Sequence, residues 1–421
     1  MEKERTGVGR YLINLLQQWN KLNFPRKSAG AASAVGKRST NFPAAQRVPP
    51  WRDERSALIS VKNSEGLHSI DNLKFILYFH KSIPDDDFLD NPIFEKKLLK
   101  SPYQIKLGTG QVWPKPSFLV YFLFLLPLSL KKDKVDLAFF PGYMVPMTYF
   151  GKSVIVLHDV AFFAHPEWFI FRFRLPYQIF SWFGAKISKK IITVSEFSKK
   201  EVLKYCKVNP EKIFVTPLGV DEKFEIITDE IILDNVKRKY RIKKYFALQL
   251  GQIFYRRHVL ETISAFEKVA KKLPDFQLLV VGKNWLKENL EEIIEKTNLK
   301  IGRNAIIWQK FVSDEDLVLL YNAAGLSLYL SDYEGFGLPP LEAMACGTPV
   351  LTTGFAALGE ISGDCALVVE DPQNPTEIAK KIYLGLTDME LRNELIKKGL
   401  EKVKKYSWEK CAKETLNILL N

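Results

Sequence analysis

The chain has 421 residues, 47% of them hydrophobic and 26% charged, which is too long for one ordinary core and suits two domains of about 150 to 200 residues each. Four cysteines, Cys206, Cys346, Cys365 and Cys411, form no CxxC unit, and the five histidines show no metal-ligand spacing, so neither a disulfide framework nor a metal site is expected. The formal charge of +13 is interspersed with acidic residues instead of being gathered in an arm, so no nucleic-acid partner is expected, and an anionic substrate or membrane surface is the better match.

The chain opens with Thr6-Gly7-Val8-Gly9-Arg10 ahead of the apolar-periodic run Tyr11-Leu12-Ile13-Asn14-Leu15-Leu16. This reads as a glycine loop feeding a helix that starts near Arg10. Such a loop ordinarily follows a strand, and Glu2-Lys3-Glu4-Arg5 cannot be a buried one. The first domain is therefore expected to lack its first strand or to begin further upstream. Residues 25–70 are rich in turn formers and show no periodicity, so a disordered insertion is expected there.

Short apolar runs at 75–79, 137–140, 154–157, 191–194 and 213–215 then read as strands with helices between several of them. The run 118–130 is too short to span a bilayer as a helix and reads as a buried helix or strand, with shallow membrane docking as the alternative. The second half alternates more cleanly. Strands are expected at 246–250, 276–281, 305–308, 326–330, 350–352 and 366–369, and helices at 259–272, 315–324, 340–345, 375–384 and 388–405. Continuous apolar strands alternating with helices predict parallel sheets covered on both faces. The expected organisation is an N-terminal domain over 1–217, a C-terminal domain over 218–405 and a last helix over 406–421 packing back on the first domain. Two doubly wound domains of this kind are expected to face each other across a cleft.

The segment Ser331-Asp332-Tyr333-Glu334-Gly335-Phe336-Gly337-Leu338-Pro339-Pro340-Leu341-Glu342 carries the densest chemistry. Gly335 and Gly337 allow close backbone approach to a ligand, and the prolines fit a helix start, where their missing N–H costs nothing. Backbone donors from Gly335 and Phe336 to Leu338 can receive a phosphate, while Glu334 and Glu342, the latter placed in the first helical turn, can address a sugar nucleotide. Gly251-Gln252-Ile253-Phe254-Tyr255-Arg256-Arg257-His258 follows another strand and puts two cations on a turn suited to a diphosphate. His158-Asp159 follows the strand 154–157, and His158 is a candidate at the mouth between the domains. Glu196 and Ser198 either bind acceptor or cap a helix. The aromatics Phe162, Phe163, Trp168, Phe169, Phe171 and Phe173, with Arg172 and Arg174, either face a lipid-linked acceptor or pack inward.

Taken in order, these segments resemble the retaining glycosyltransferases of family 4, which have the GT-B fold of two Rossmann-like domains. The matching stretches are 6–11, Leu157-His158-Asp159-Val160, 191–198, Thr216-Pro217-Leu218-Gly219-Val220-Asp221, 251–258, Val280-Val281-Gly282 and 331–350. They cover nearly everything except 25–70. The resemblance implies that Glu334 contacts the donor sugar and Glu342 the nucleotide ribose. Arg256 and Arg257 would hold the leaving diphosphate with Gly251 beside them, Gly7 and Gly9 would close over it, and His158 would touch the donor sugar. Where that family commonly has Arg-Lys-Asn, this chain has Arg256-Arg257-His258. The implied activity is transfer of a hexosyl group, with mannosyl favoured, from a nucleoside-diphosphate sugar to a saccharide or lipid-linked saccharide, with no cofactor required. GDP-mannose is the favoured donor, and a cytoplasmic protein, peripheral at the inner face of an anionic membrane, is the expected setting. A non-catalytic sugar-nucleotide-binding protein, an inactive truncated transferase and another GT-B enzyme such as an epimerase are the alternatives. Oligomeric state is not legible.

Overall fold

The computed structural model describes residues 7–21, 58–63, 73–80, 82–99, 105–106, 112–113 and 118–421. These form two compact units. The first takes the described residues up to Val194 together with Ser198–Thr216 and Trp408–Asn421; the second takes Pro217–Ser407 together with Ser195–Phe197.

The first unit begins with α1 (Gly7–Lys21), followed by strands β1 (Leu58–Asn63), β2 (Leu73–Phe79) and β3 (Phe94–Leu98), and a short antiparallel pair, β4 (Ile105–Lys106) and β5 (Val112–Trp113). Helix α2 (Phe118–Val120) passes through a π turn (Tyr121–Leu125) into α3 (Leu126–Lys132). There follow β6 (Leu137–Phe140), β7 (Ser153–Leu157), α4 (Ala161–Ala164), α5 (Phe171–Ile187), β8 (Lys190–Thr193), α6 (Glu196–Cys206) and β9 (Ile213–Val215). Seven strands form one sheet in the order β3-β2-β1-β6-β7-β8-β9. Every pairing in it is parallel except those of β1, which runs antiparallel to both β2 and β6.

That strand corrects the reading of 25–70 as structureless. Residues 58–63 occupy the sheet between β2 and β6, where Ile59, Ser60 and Val61 are fully buried. Burial on both faces suits the β-branched Ile59 and Val61 and the small Ser60 between them. Residues 25–57 and 64–70 of the same stretch lie outside the described residues, as do 1–6. Helix α1 buries Tyr11, Leu15 and Trp19; the Trp19 ring stacks on Phe75 at 4.7 Å, and its indole N–H donates to the Ala412 carbonyl at 3.0 Å.

The second unit contains α7 (Glu230–Lys239), β10 (Tyr245–Leu250), α8 (Val259–Lys272), β11 (Phe276–Val281), α9 (Leu290–Ile301) and β12 (Ile306–Gln309). It continues with α10 (Asp314–Ala323), β13 (Leu326–Tyr329), α11 (Leu338–Ala345), β14 (Val350–Thr353), α12 (Ala356–Ser362), β15 (Leu367–Val369), α13 (Pro375–Thr387) and α14 (Met389–Val403). Helix α15 (Trp408–Leu420) follows and groups with the first unit. The six strands of the second unit are all parallel, in the order β12-β11-β10-β13-β14-β15. Leu278, Val280, Leu326, Leu328 and Leu351 from its centre join Phe266 of α8 and Ile382 of α13 in one core. The sequence reverses direction across the sheet between β10 and β13. In an open parallel sheet, that switch point is where the loops leaving the carboxyl ends of neighbouring strands splay apart and receive ligands.

Candidate functional site

The loops at the switch point carry the sequence-predicted residues. Gly251 leaves β10 with φ +124, and a Cβ there would lie 2.5 Å from Arg257 Nη1. Only glycine meets both conditions without strain. The next turn folds back over Tyr255–Arg257 and ends at His258, whose left-handed backbone (φ 48, ψ 38) begins α8.

Arg257 then reaches the loop after β13. Its Nε and Nη2 each lie 3.0 Å from Glu334 Oε1, and its Nη1 donates to the Gln252 carbonyl at 3.2 Å. Ser331 Oγ donates to the same Glu334 oxygen at 3.1 Å. The backbones are tied as well: the Asp332 N–H donates to the Arg256 carbonyl at 3.0 Å, and His258 Nε2 lies 2.7 Å from Asp332 Oδ1. Arg256 sits over the Phe254 ring, 4.6 Å from its centroid. Thus Gly251, Arg256, Arg257, Glu334 and Gly335 belong to one cross-linked pair of loops.

The arginine and glutamate side chains keep only 14% and 17% of their exposure. They are therefore not solubilising surface groups. Burial pushes the Glu334 carboxyl upward, but the Arg257 and Arg256 charges outweigh it and hold the carboxyl below its ordinary range. The result is an ionised carboxylate beside two guanidinium groups in a partly desolvated setting.

Glu342 departs from its expected place. Helix α11 starts at Leu338, two residues earlier than the prolines suggest, so Glu342 opens the second turn and not the first. It is 3% exposed and accepts a hydrogen bond from the Tyr321 hydroxyl of α10 at 3.3 Å, so it is no solvated helix-start carboxylate. Pro339 and Pro340 have no N–H, which confines the amide donors at this helix start to Gly337 and Leu338. Gly337 adopts φ +125 as the residue before the helix.

The first unit gathers three other predicted residues. Gly7 and Gly9 lie inside α1, not in a loop before a helix at Arg10. Two glycines are poor helix formers in an interior but cost less in a first turn. Two residues beyond Gly9, the Tyr11 ring meets His158 edge-on at 5.0 Å. His158 follows β7, is 8% exposed, and its Nε2 donates to the Pro141 carbonyl at 3.0 Å. Burial pulls its pKa down to about 4, against a smaller opposing effect of that hydrogen bond, so the imidazole is neutral at ordinary pH. Ser198 neither faces outward nor caps α6: its hydroxyl is buried and donates to the His158 carbonyl at 2.8 Å.

The aromatic cluster divides. Phe162 is 5% exposed and packs in the core, with Phe163 and Phe169 against it, whereas Phe171 is 62% exposed. Sequence alone assigns no role to His258 or Asp332. Their signal is a histidine at a helix start and an acid two residues before Glu334, which become informative only once the two loops are adjacent.

Comparison with known proteins identifies the family. Residues 234–402 match the model of "Glycosyl transferases group 1", and residues 90–224 that of "Glycosyltransferase Family 4". The O-antigen chain mannosyltransferase B of Escherichia coli is 31% identical over 281 residues, which is 66% of this chain and 72% of that protein. The chain belongs to the GT-B glycosyltransferases. Solved structures bear out the fold. WaaG, a glycosyltransferase involved in lipopolysaccharide biosynthesis, superimposes with a TM-score of 0.61 at 20% identity over 82% of this chain and 90% of that one. Anabaena Alr3699/HepE in complex with UDP and glucose gives 0.60 at 15% identity, over 81% and 90%. As a GT-B glycosyltransferase related to bacterial mannosyltransferases, this chain would take a nucleoside-diphosphate sugar as donor.

Proposed function

We propose that this chain is a retaining hexosyltransferase that moves a mannosyl group from GDP-mannose to a hydroxyl of a saccharide or lipid-linked saccharide. The observation that carries the reading is the Arg257–Glu334 pair, joined across the two loops at the switch point of the parallel sheet. The choice of mannose rests on the E. coli mannosyltransferase relative.

In this reading the donor lies on the second unit and the acceptor on the first. The diphosphate takes its counter-charge from Arg256 and Arg257 and hydrogen bonds from the amides of Gly337 and Leu338. Gly251 leaves room for Arg257. Glu334 faces the donor sugar and Glu342 accepts from the ribose hydroxyls. The bond from the anomeric carbon to the leaving phosphate oxygen breaks while the acceptor oxygen bonds to that carbon from the same face. The acceptor proton passes to the departing phosphate oxygen. His158, on the first unit, is neutral and supplies no proton. Glu334 and Glu342 are not the acid and base pair of a glycosidase, because one of them is committed to the ribose.

Calorimetric titration with a panel of nucleoside-diphosphate sugars, followed by turnover with the tightest binder, tests the reading. Binding of GDP-mannose with release of GDP and a product of retained configuration is the expected result. Binding without turnover would make the chain a binding protein. Conversion of the donor into another sugar nucleotide would make it an epimerase.

A further inference from the structure

The first unit carries an exposed apolar surface that the transfer reaction does not use. Helix α5 packs Tyr177, Phe180 and Ile187 against the core of the first unit and carries a second apolar stripe that the core does not cover. Its small residues Ser181, Gly184 and Ala185 face inward, and a Cβ on Gly184 would lie 2.8 Å from Ile155 and 2.9 Å from Val145. Four of its large residues face water: Phe171, Leu175, Ile179 and Trp182 are 62%, 39%, 42% and 47% exposed. Their spacing of four, four and three places them on one stripe.

The neighbouring helical stretch adds a second stripe. Leu119, Phe124 and Leu128 are 53%, 56% and 64% exposed. The π turn at Tyr121–Leu125 widens the repeat, so residues 119 and 124 share a side although five apart. The two stripes belong to adjacent elements. The Phe122 ring meets Phe180 of α5 at 5.7 Å, and Phe183 of α5 meets Phe150 at 6.5 Å. Phe150, at the tip of the loop before β7, is itself 80% exposed.

Charge selects the occupant. Residues 118–132, 141–152 and 169–190 contain no Asp or Glu. Lys131, Lys132, Arg172 and Lys186 are exposed there, and the Lys186 ammonium lies 5.7 Å from the Trp182 ring centroid. No described helix is long and apolar enough to cross a membrane. Apolar side chains flanked by cations, with an aromatic ring and a lysine stem sharing one edge, match the boundary between lipid headgroups and chains. A second copy of this patch would set cation against cation.

We propose that the first unit docks in the plane of an anionic lipid bilayer through α5, the 118–132 stretch and Phe150. The test is flotation of the full chain with phosphatidylglycerol–phosphatidylcholine vesicles, against vesicles of phosphatidylcholine alone. The expected result is binding that needs the anionic lipid. Two variants, Ile179→Ser with Trp182→Ser and separately Lys131→Glu with Lys132→Glu, should each weaken it about tenfold or more, since each cation near the surface and each buried apolar side chain contributes to partitioning. Thermal melting and donor binding should be unchanged, and Phe150→Ser supplies an independent variant if either pair disturbs folding. Equal binding of wild type and all variants would overturn the proposal. So would failure to float with anionic vesicles, or a dimer in solution that the same substitutions dissociate.

Discussion

The Arg257–Glu334 pair gives the sharpest energetic prediction. At an effective dielectric of 20, opposite unit charges about 4 Å apart attract by about 4 kcal/mol. Both side chains are mostly withdrawn from water, so part of that attraction only offsets desolvation. Removing Arg257 leaves Glu334 buried with Ser331 and the Arg256 charge, and removing Glu334 leaves Arg257 with the Gln252 carbonyl and the Tyr329 ring, so each of Arg257→Met and Glu334→Gln should cost about 3 kcal/mol. The double variant should cost clearly less than the two together, with a coupling of about 2 kcal/mol. Urea unfolding of wild type, both single variants and the double variant measures this, provided the slope with denaturant stays constant. Additivity within about 0.5 kcal/mol would refute the argument that these loops are held by this pair. The sign with pH follows from the depressed carboxyl of Glu334. The contribution is complete above the ordinary carboxylate range and is lost as pH falls through the lower folded value.

Three other outcomes follow from single side chains. Glu342→Ala should weaken nucleotide binding by roughly 10- to 100-fold by calorimetry, the loss of charge-assisted hydrogen bonds, whereas Glu334→Gln should lower turnover more than affinity. Gly251→Ala should lower nucleotide affinity and destabilise by about 1–3 kcal/mol, because φ +124 is strained for alanine and the new Cβ meets Arg257 Nη1 at 2.5 Å. His158, with its pKa pulled down to about 4, binds protons more readily unfolded than folded. Its contribution is present above about pH 6.5 and falls by about 3 kcal/mol as pH drops toward its folded value, and His158→Gln should flatten that slope in pH-dependent melting.

All six strands of the second unit are legible in its sequence, whereas helices α7, α9 and α12 are not among those expected. Runs such as Phe276-Gln277-Leu278-Leu279-Val280-Val281 are apolar because both faces are covered, and β11 matches that run residue for residue. The first unit was less so. Phe94-Glu95-Lys96-Lys97-Leu98 reads as solvated because β3 lies at the sheet edge, where only Phe94 is buried. Strand β1 was hidden because its six residues sit in a compositionally irregular stretch and pair with β2 and β6, a tertiary relation that no local pattern encodes. At the site, residue types and spacing pointed to Arg257 and Glu334 separately. Their bond spans 77 residues of sequence and depends on β10 and β13 being neighbours. Sequence alone puts the start of α11 too late because Leu338 gives no helix-start signal of its own, the prolines after it do, and Gly337 is the residue that lets the chain turn into the helix.

Amide hydrogen exchange with and without GDP tests the central claim most directly. The account predicts that the nucleotide slows exchange in 251–258 and 331–342 of the second unit, and that Arg257→Met abolishes the effect. Protection confined to other segments, or protection in those loops that survives the substitution unchanged, would contradict it.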